Sequence, residues 1–179
     1  MRILYILGVG FGATLLAGQA LAGTEAGRSE LSVSGSYSYE WVPSEGSGNG
    51  VNNFLGTVGF GHFFTDALEL KFQGVFDAMT GHGTTIETLE FMIGPDYHFM
   101  TKGSFVPYIG VYGGILELEA GAFGGSTATT GGMVDGHIGL KQFVSERASI
   151  DYRLSYQYWN ISGSELDSII ASVGLDYEF

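Results

Sequence analysis

Ser168-Ile169-Ile170-Ala171-Ser172-Val173-Gly174-Leu175-Asp176-Tyr177-Glu178-Phe179 is the stretch that decides the fold. Read with period 2, one face carries Ile169, Ala171, Val173, Leu175, Tyr177 and Phe179. The other carries Ser168, Ile170, Ser172, Gly174, Asp176 and Glu178. A strand sends alternate residues to opposite faces, so this is a strand with one apolar and one mostly polar side.

The pattern repeats outward from there. Residues 30–41 set Leu31, Val33, Gly35, Tyr37, Tyr39 and Trp41 against Ser32, Ser34, Ser36, Ser38 and Glu40. Residues 68–77 set Leu68, Leu70, Phe72, Gly74 and Phe76 against Glu69, Lys71, Gln73, Val75 and Asp77. Residues 88–99 set Leu89, Phe91, Ile93, Tyr97 and Phe99 against Glu90, Gly94, Asp96 and His98. Residues 149–159 set Ile150, Tyr152, Leu154, Tyr156 and Tyr158 against Asp151, Arg153, Ser155 and Gln157. Residues 53–64 and 133–143 are less regular strands, the second with Asp135, His137 and Lys141 on its polar face. Residues 105–118 are apolar on both faces, which leaves their facing open. Eight strands are expected.

Short connections fall at 65–67, 101–103 and 145–147. Long polar ones are expected near 42–52, 78–87, 119–132 and 160–167. Long-short alternation in an antiparallel up-and-down meander puts all long loops at one end. That is the layout of a transmembrane β-barrel with short periplasmic turns and long extracellular loops. A soluble sandwich also alternates. Its strands, however, are usually about 5–6 residues long, whereas a tilted membrane span needs about 9–11. Aromatics also gather at the strand ends, among them Tyr37, Tyr39, Trp41, Phe60, Phe64, Tyr97, Phe99, Tyr156, Tyr158, Tyr177 and Phe179. Such rings favour the membrane–water interface.

The N-terminus reads separately. Met1-Arg2 is a short basic start, Ile3 to Leu16 carries no charge, and Ala20-Leu21-Ala22 places small residues at a cleavage site. These are the parts of a secretory signal peptide. The division expected is a signal peptide at 1–22 and a barrel domain at 23–179, with cleavage leaving Gly23 first. The run is too short for a spanning helix of about 20 residues.

The totals narrow the function. The 179 residues suit one domain. Cysteine is absent, which excludes disulfides, Cys-ligated metals and a lipid anchor on cysteine. A net charge of −12 leaves no basic footprint for nucleic acid.

Val58-Gly59-Phe60-Gly61-His62-Phe63-Phe64-Thr65-Asp66 with Leu68-Glu69-Leu70, the run Val106-Pro107-Tyr108-Ile109-Gly110, and the terminal Tyr177-Glu178-Phe179 resemble the small outer-membrane barrels of the OmpA and OmpX type. The resemblance covers nearly all of residues 28–179. It implies the outer membrane as location, with long loops extracellular and both mature termini periplasmic. It also implies outer-membrane lipid, lipopolysaccharide and the barrel-assembly machinery as partners, with Phe179 and Tyr177 as the assembly signal. The peptidoglycan-binding domain of OmpA-type proteins has no counterpart after the eighth strand, so no cell-wall anchoring is expected. The extracellular partner is left unnamed.

An eight-stranded barrel is filled by its own side chains. The inward charges expected are Glu69, Lys71, Glu90, Asp96, Lys141, Asp151, Arg153 and Asp176, with Lys141 opposite Asp151. They read as a structural ion-pair core; a narrow ion or solute path is the alternative. The histidines His62, His82, His98 and His137 show no metal-ligand spacing, and no metal or cofactor is expected. Some barrels of this kind modify lipid A with a Ser and a His near the membrane surface. Here His137, Ser155 and Asp135 come close in register, but they point inward, and the His-x-Ser-Asn pattern of those enzymes is missing. The expectation is a non-enzymatic protein acting in envelope structure or in surface contacts through its loops. A channel is second and a lipid A-modifying enzyme third.

Overall fold

A computed structural model describes residues 23–41, 50–81, 84–122, 125–161 and 164–179. The expected signal peptide, residues 42–49 of the first long loop and His82 lie outside the described residues, as do the side chains of Tyr37, Tyr39 and Trp41. Eight antiparallel strands close into one barrel in sequence order. They are β1 (Ser29–Trp41), β2 (Gly50–Phe63), β3 (Leu68–Gly81), β4 (Thr84–His98), β5 (Phe105–Ala122), β6 (Gly125–Phe143), β7 (Ala148–Ile161) and β8 (Ser164–Glu178).

Two of the lower turns share one device. The Thr65 hydroxyl accepts from the backbone N–H of Ala67 and Leu68. The Ser145 hydroxyl accepts likewise from Arg147 and Ala148. A short side chain that bonds the backbone two or three residues on fixes a tight reversal. The third lower turn uses Gly103 at φ +118, a left-handed conformation that side chains disfavour.

The upper end differs from the expected loops. Strands β3 and β4 run on to Gly81 and from Thr84, β5 and β6 to Ala122 and from Gly125, and β7 and β8 to Ile161 and from Ser164. Most of the segments read as loops at 78–87, 119–132 and 160–167 are therefore strand. Their Gly, Ser and Thr composition reads as loop when judged alone. Ladder hydrogen bonds to a partner carrying the same composition override that bias, as between Glu119–Ala122 and Gly125–Ala128.

The barrel is inverted relative to a soluble protein. Leu31, Val58, Phe72, Phe91, Ile109, Ile138, Leu154 and Leu175 are exposed on the outer wall, while Glu30, Lys71, Asp96 and Lys141 are buried inside. Strand β5, whose facing the sequence left open, turns Val106, Tyr108, Tyr112 and Leu116 inward and Ile109, Val111 and Ile115 outward. Phe72 and Phe91 stack on the outer wall with centroids 6.3 Å apart.

Closure occurs between β1 and β8. Phe179 exchanges two backbone hydrogen bonds with Ser29, at 2.8 and 3.0 Å. The ladder then runs from Glu30↔Glu178 to Gly35↔Val173. The β1–β8 pairing covers only this lower half of β1. From Ser36 upward β1 pairs with β2 alone, and Ser164–Ser172 pair with β7 alone. This junction is the one without a covalent hairpin at either end, so its ladder and the side-chain contacts across it must hold it together.

The outward register predicts that Leu154→Arg, placed mid-strand against lipid, destabilises the barrel by about 2–4 kcal/mol. Reversible urea unfolding in lipid vesicles measures this, with heat-dependent gel mobility as the check for folded protein.

Candidate functional site

The lower lumen is closed by a buried ion-pair network. Lys71 Nζ lies 2.6 Å from Glu30 Oε1, and Lys141 Nζ bonds the other oxygen of the same carboxylate. Lys141 also lies 3.3 Å from Asp176 and 3.7 Å from Glu69. Glu69 in turn meets His98 Nε2 at 3.3 Å. At the lower mouth Arg28 holds Glu178 at 3.1 Å. Charges removed from water cost several kcal/mol each unless they are paired and hydrogen-bonded, and here each ammonium has at least one carboxylate.

A second layer sits above the first. The Tyr108 hydroxyl donates to Asp151 at 2.8 and 2.9 Å and accepts from Arg153 Nε at 3.1 Å. Arg153 also donates across the lumen to Gln73 Oε1 at 3.0 Å. The Tyr112 hydroxyl donates to Asp96 at 2.6 Å. His137 places Nε2 at 2.8 Å from Asp96 and Nδ1 at 2.6 Å from Asp135. Its ring packs edge-on against Tyr112, with centroids 4.6 Å apart. Capping this layer is an apolar cluster of Val75, Met92, Tyr112, Leu116 and Met133.

The eight charges expected inside all point into the lumen. Their partners differ from the sequence reading in one respect. Lys141 and Asp151 are directly opposite in register, but they do not pair with each other. Lys141 reaches across to Glu30, and Asp151 takes Tyr108 and Arg153. Long side chains in a narrow barrel span the lumen more easily than they fold back on a neighbour.

Sequence reasoning missed Glu30, Tyr108 and Tyr112, and it put Glu178 on the polar face without counting it among the inward charges. Glu30 and Glu178 sit at the ends of their strands. The two tyrosines lie on the strand that is apolar on both faces. One signal was available. Small inward residues leave the room that large ones fill: a side chain at Gly139 would meet the Tyr108 ring, and one at Gly94 the Tyr112 ring. The register sets Gly139 directly across from Tyr108.

The Ser–His arrangement does not assemble as a nucleophile. His137 faces Ser155 in register, yet both of its ring nitrogens face carboxylates. Both nitrogens are thus taken up by carboxyl groups, whereas a serine nucleophile needs its hydroxyl hydrogen-bonded to the imidazole. His62 lies instead at the lower rim, bonded to the Ser29 hydroxyl at 3.1 Å and set edge-on against Phe64.

Comparison with protein-family models and with curated proteins gives no match. Solved structures do match. The N-terminal β-barrel domain of Pseudomonas aeruginosa OprF is 18% identical with a TM-score of 0.56, over 86% of this chain and 98% of that one. Neisserial surface protein A is 15% identical with a TM-score of 0.62, over 86% and 98%. Ail, the attachment invasion locus protein of Yersinia pestis, is 15% identical with a TM-score of 0.53, over 86% and 99%. At these identities the likeness is one of fold: the chain is built as a small eight-stranded outer-membrane β-barrel.

The Lys141 contacts predict that Lys141→Met, which leaves Glu30 and Asp176 facing each other without the ammonium, destabilises the barrel by about 3–5 kcal/mol. Urea unfolding of the variant in lipid vesicles checks this, and Lys102→Met at the exposed lower turn is the control expected to change little.

Proposed function

We propose that the protein is a closed, non-enzymatic outer-membrane barrel that contributes to envelope structure and makes surface contacts through the upper ends of its hairpins. The carrying observation is the two-layer plug. Glu30, Lys71 and Lys141 are fully buried, and Tyr108, Tyr112 and Arg153 fill the lumen above them. A path for solutes would have to break several buried ion pairs at once.

The lipid-facing wall and the fold it shares with outer-membrane barrels support the location. Three of the four segments read as long loops, 78–87, 119–132 and 160–167, are mostly strand, so contact there falls to the hairpin rims. Those rims are acidic. Glu87, Glu117, Glu119, Glu165 and Asp167 are exposed on the upper outer wall. All Lys and Arg beyond Arg2 lie lower: Arg28, Lys102 and Arg147 near the lower mouth and turns, and Lys71, Lys141 and Arg153 in the plug. Like charges repel, so contact with lipopolysaccharide phosphates at this level calls for bridging cations, and a direct protein partner would be cationic.

Planar-bilayer recording tests the closed state. The purified barrel is expected to show no discrete openings at moderate voltage. Steady openings abolished by Arg153→Met would favour the channel instead. Lipid A mass spectra from cells with and without the protein should be identical, and a shifted acyl pattern lost in Ser155→Ala would mark an enzyme.

A further inference from the structure

Above the plug the lumen changes character. Glu90 is 1% exposed, yet its Oε2 has no hydrogen-bond partner. It is flanked in register by Val75 and Leu116, both members of the apolar cluster. Asp77 lies one step higher on the neighbouring strand, opposite Thr88, and its Oδ1 is also buried without a partner. No ion pair among the described residues involves either carboxylate. The titratable groups that bear on Glu90 are the carboxyls of Asp77 and Asp135. Asp135 is already taken by His137.

A neutral oxygen completes the picture from the far wall. The Arg153–Gln73 hydrogen bond shows that β7 and β3 face each other across the lumen. Two inward steps up each strand from Arg153 and from Gln73 stand Gln157 and Asp77. Gln157 is 5% exposed and points inward, and its carboxamide Oε1 has no partner either. The Thr88 hydroxyl is buried at the same level as Asp77. Three buried oxygen donors without partners therefore face one section of lumen that holds no Lys or Arg. An uncompensated buried charge is expensive, and a hard cation bound by oxygen donors removes the cost.

We propose that the upper lumen binds one small divalent cation between the carboxylates of Glu90 and Asp77, with the Gln157 carboxamide oxygen as a neutral donor. Among the described residues no three carboxylate or imidazole groups converge as a complete metal cage. The ion therefore keeps part of its water shell, as magnesium does when one or two carboxylates hold it. The expected affinity is weak, with Kd of about 10⁻⁴–10⁻³ M, the range of exposed extracellular calcium modules. The site is independent of the proposed surface role, since a closed barrel with or without the ion presents the same outer rim.

Equilibrium dialysis of the folded full-length barrel in zwitterionic detergent, with magnesium or calcium chloride at constant ionic strength, tests the proposal. The expected result is saturable uptake of one ion per barrel. Affinity should fall at least tenfold in Glu90→Gln and in Asp77→Asn, and should survive Glu117→Gln/Glu119→Gln on the outer wall. Heat-shifted gel mobility confirms that each variant is folded, and Asp77→Asn carries the test alone if Glu90→Gln does not fold. Absence of saturable uptake by the unmodified protein would overturn the site. So would uptake that persists in Asp77→Asn and disappears in the outer-wall variant, which would place the ion on the acidic rim. A protonated-carboxyl infrared band that is lost in Glu90→Gln and is unchanged by saturating metal would overturn it too, because Glu90 would then be a neutral acid.

Discussion

The ammonium of Lys141 is the point on which the lower barrel converges. It projects from β6 and is held by Glu30 of β1, Glu69 of β3 and Asp176 of β8. Lys71 of β3 returns to the same Glu30. A charge sealed from water and lipid has no other source of solvation, so these strands must be in place together before any of them is satisfied. The network thus binds the closing strand pair β1–β8 to the middle of the sheet. It does so at the level where the β1–β8 ladder itself is formed.

That constraint explains the division of labour between the two faces. Outside, the hydrocarbon environment requires apolar side chains and fully paired backbone, which the strands provide. Inside, a lumen too narrow for bulk water must be filled, and polar groups there must find one another. Size matching does part of this work. Inward glycines such as Gly94 and Gly139 face the large rings of Tyr112 and Tyr108. The rings then hand their hydroxyls to Asp96 and Asp151. The same packing takes up both ring nitrogens of His137, which meet Asp135 and Asp96.

The upper half follows other rules. The ladders continue beyond the apolar belt, and the rims carry carboxylates without basic residues. Where the plug ends in an apolar layer, Glu90 and Asp77 each keep one buried oxygen without a hydrogen-bond partner. In the lower lumen the carboxylates lie against cations, a histidine or a tyrosine hydroxyl, while among the described residues Glu90 and Asp77 have no ion pair.

Much of this was legible in the chain. Period-2 alternation in segments such as 168–179 and 68–77 implies strands with one apolar face, because side chains alternate whatever the partner. Parity alone then puts Glu69, Lys71, Asp96, Lys141, Asp151, Arg153 and Asp176 on the face away from lipid. Parity could not orient 105–118, where both faces are apolar. It gave no weight to Glu30 or Glu178, which sit at strand ends. Nor could composition show that the glycine- and threonine-rich stretches at 119–132 extend the ladder, since pairing is decided by the facing strand. Alternation along the chain is enough for the eight strands, for the facing of all but 105–118 and for the inverted barrel, because these depend on local geometry and on the surrounding solvent. Which carboxylate meets which cation, how far up the closing seam is paired, and which oxygens of Glu90 and Asp77 stay unpartnered emerge in the folded barrel alone. Those outcomes depend on distances across the lumen between residues far apart in the chain, and no local pattern encodes them.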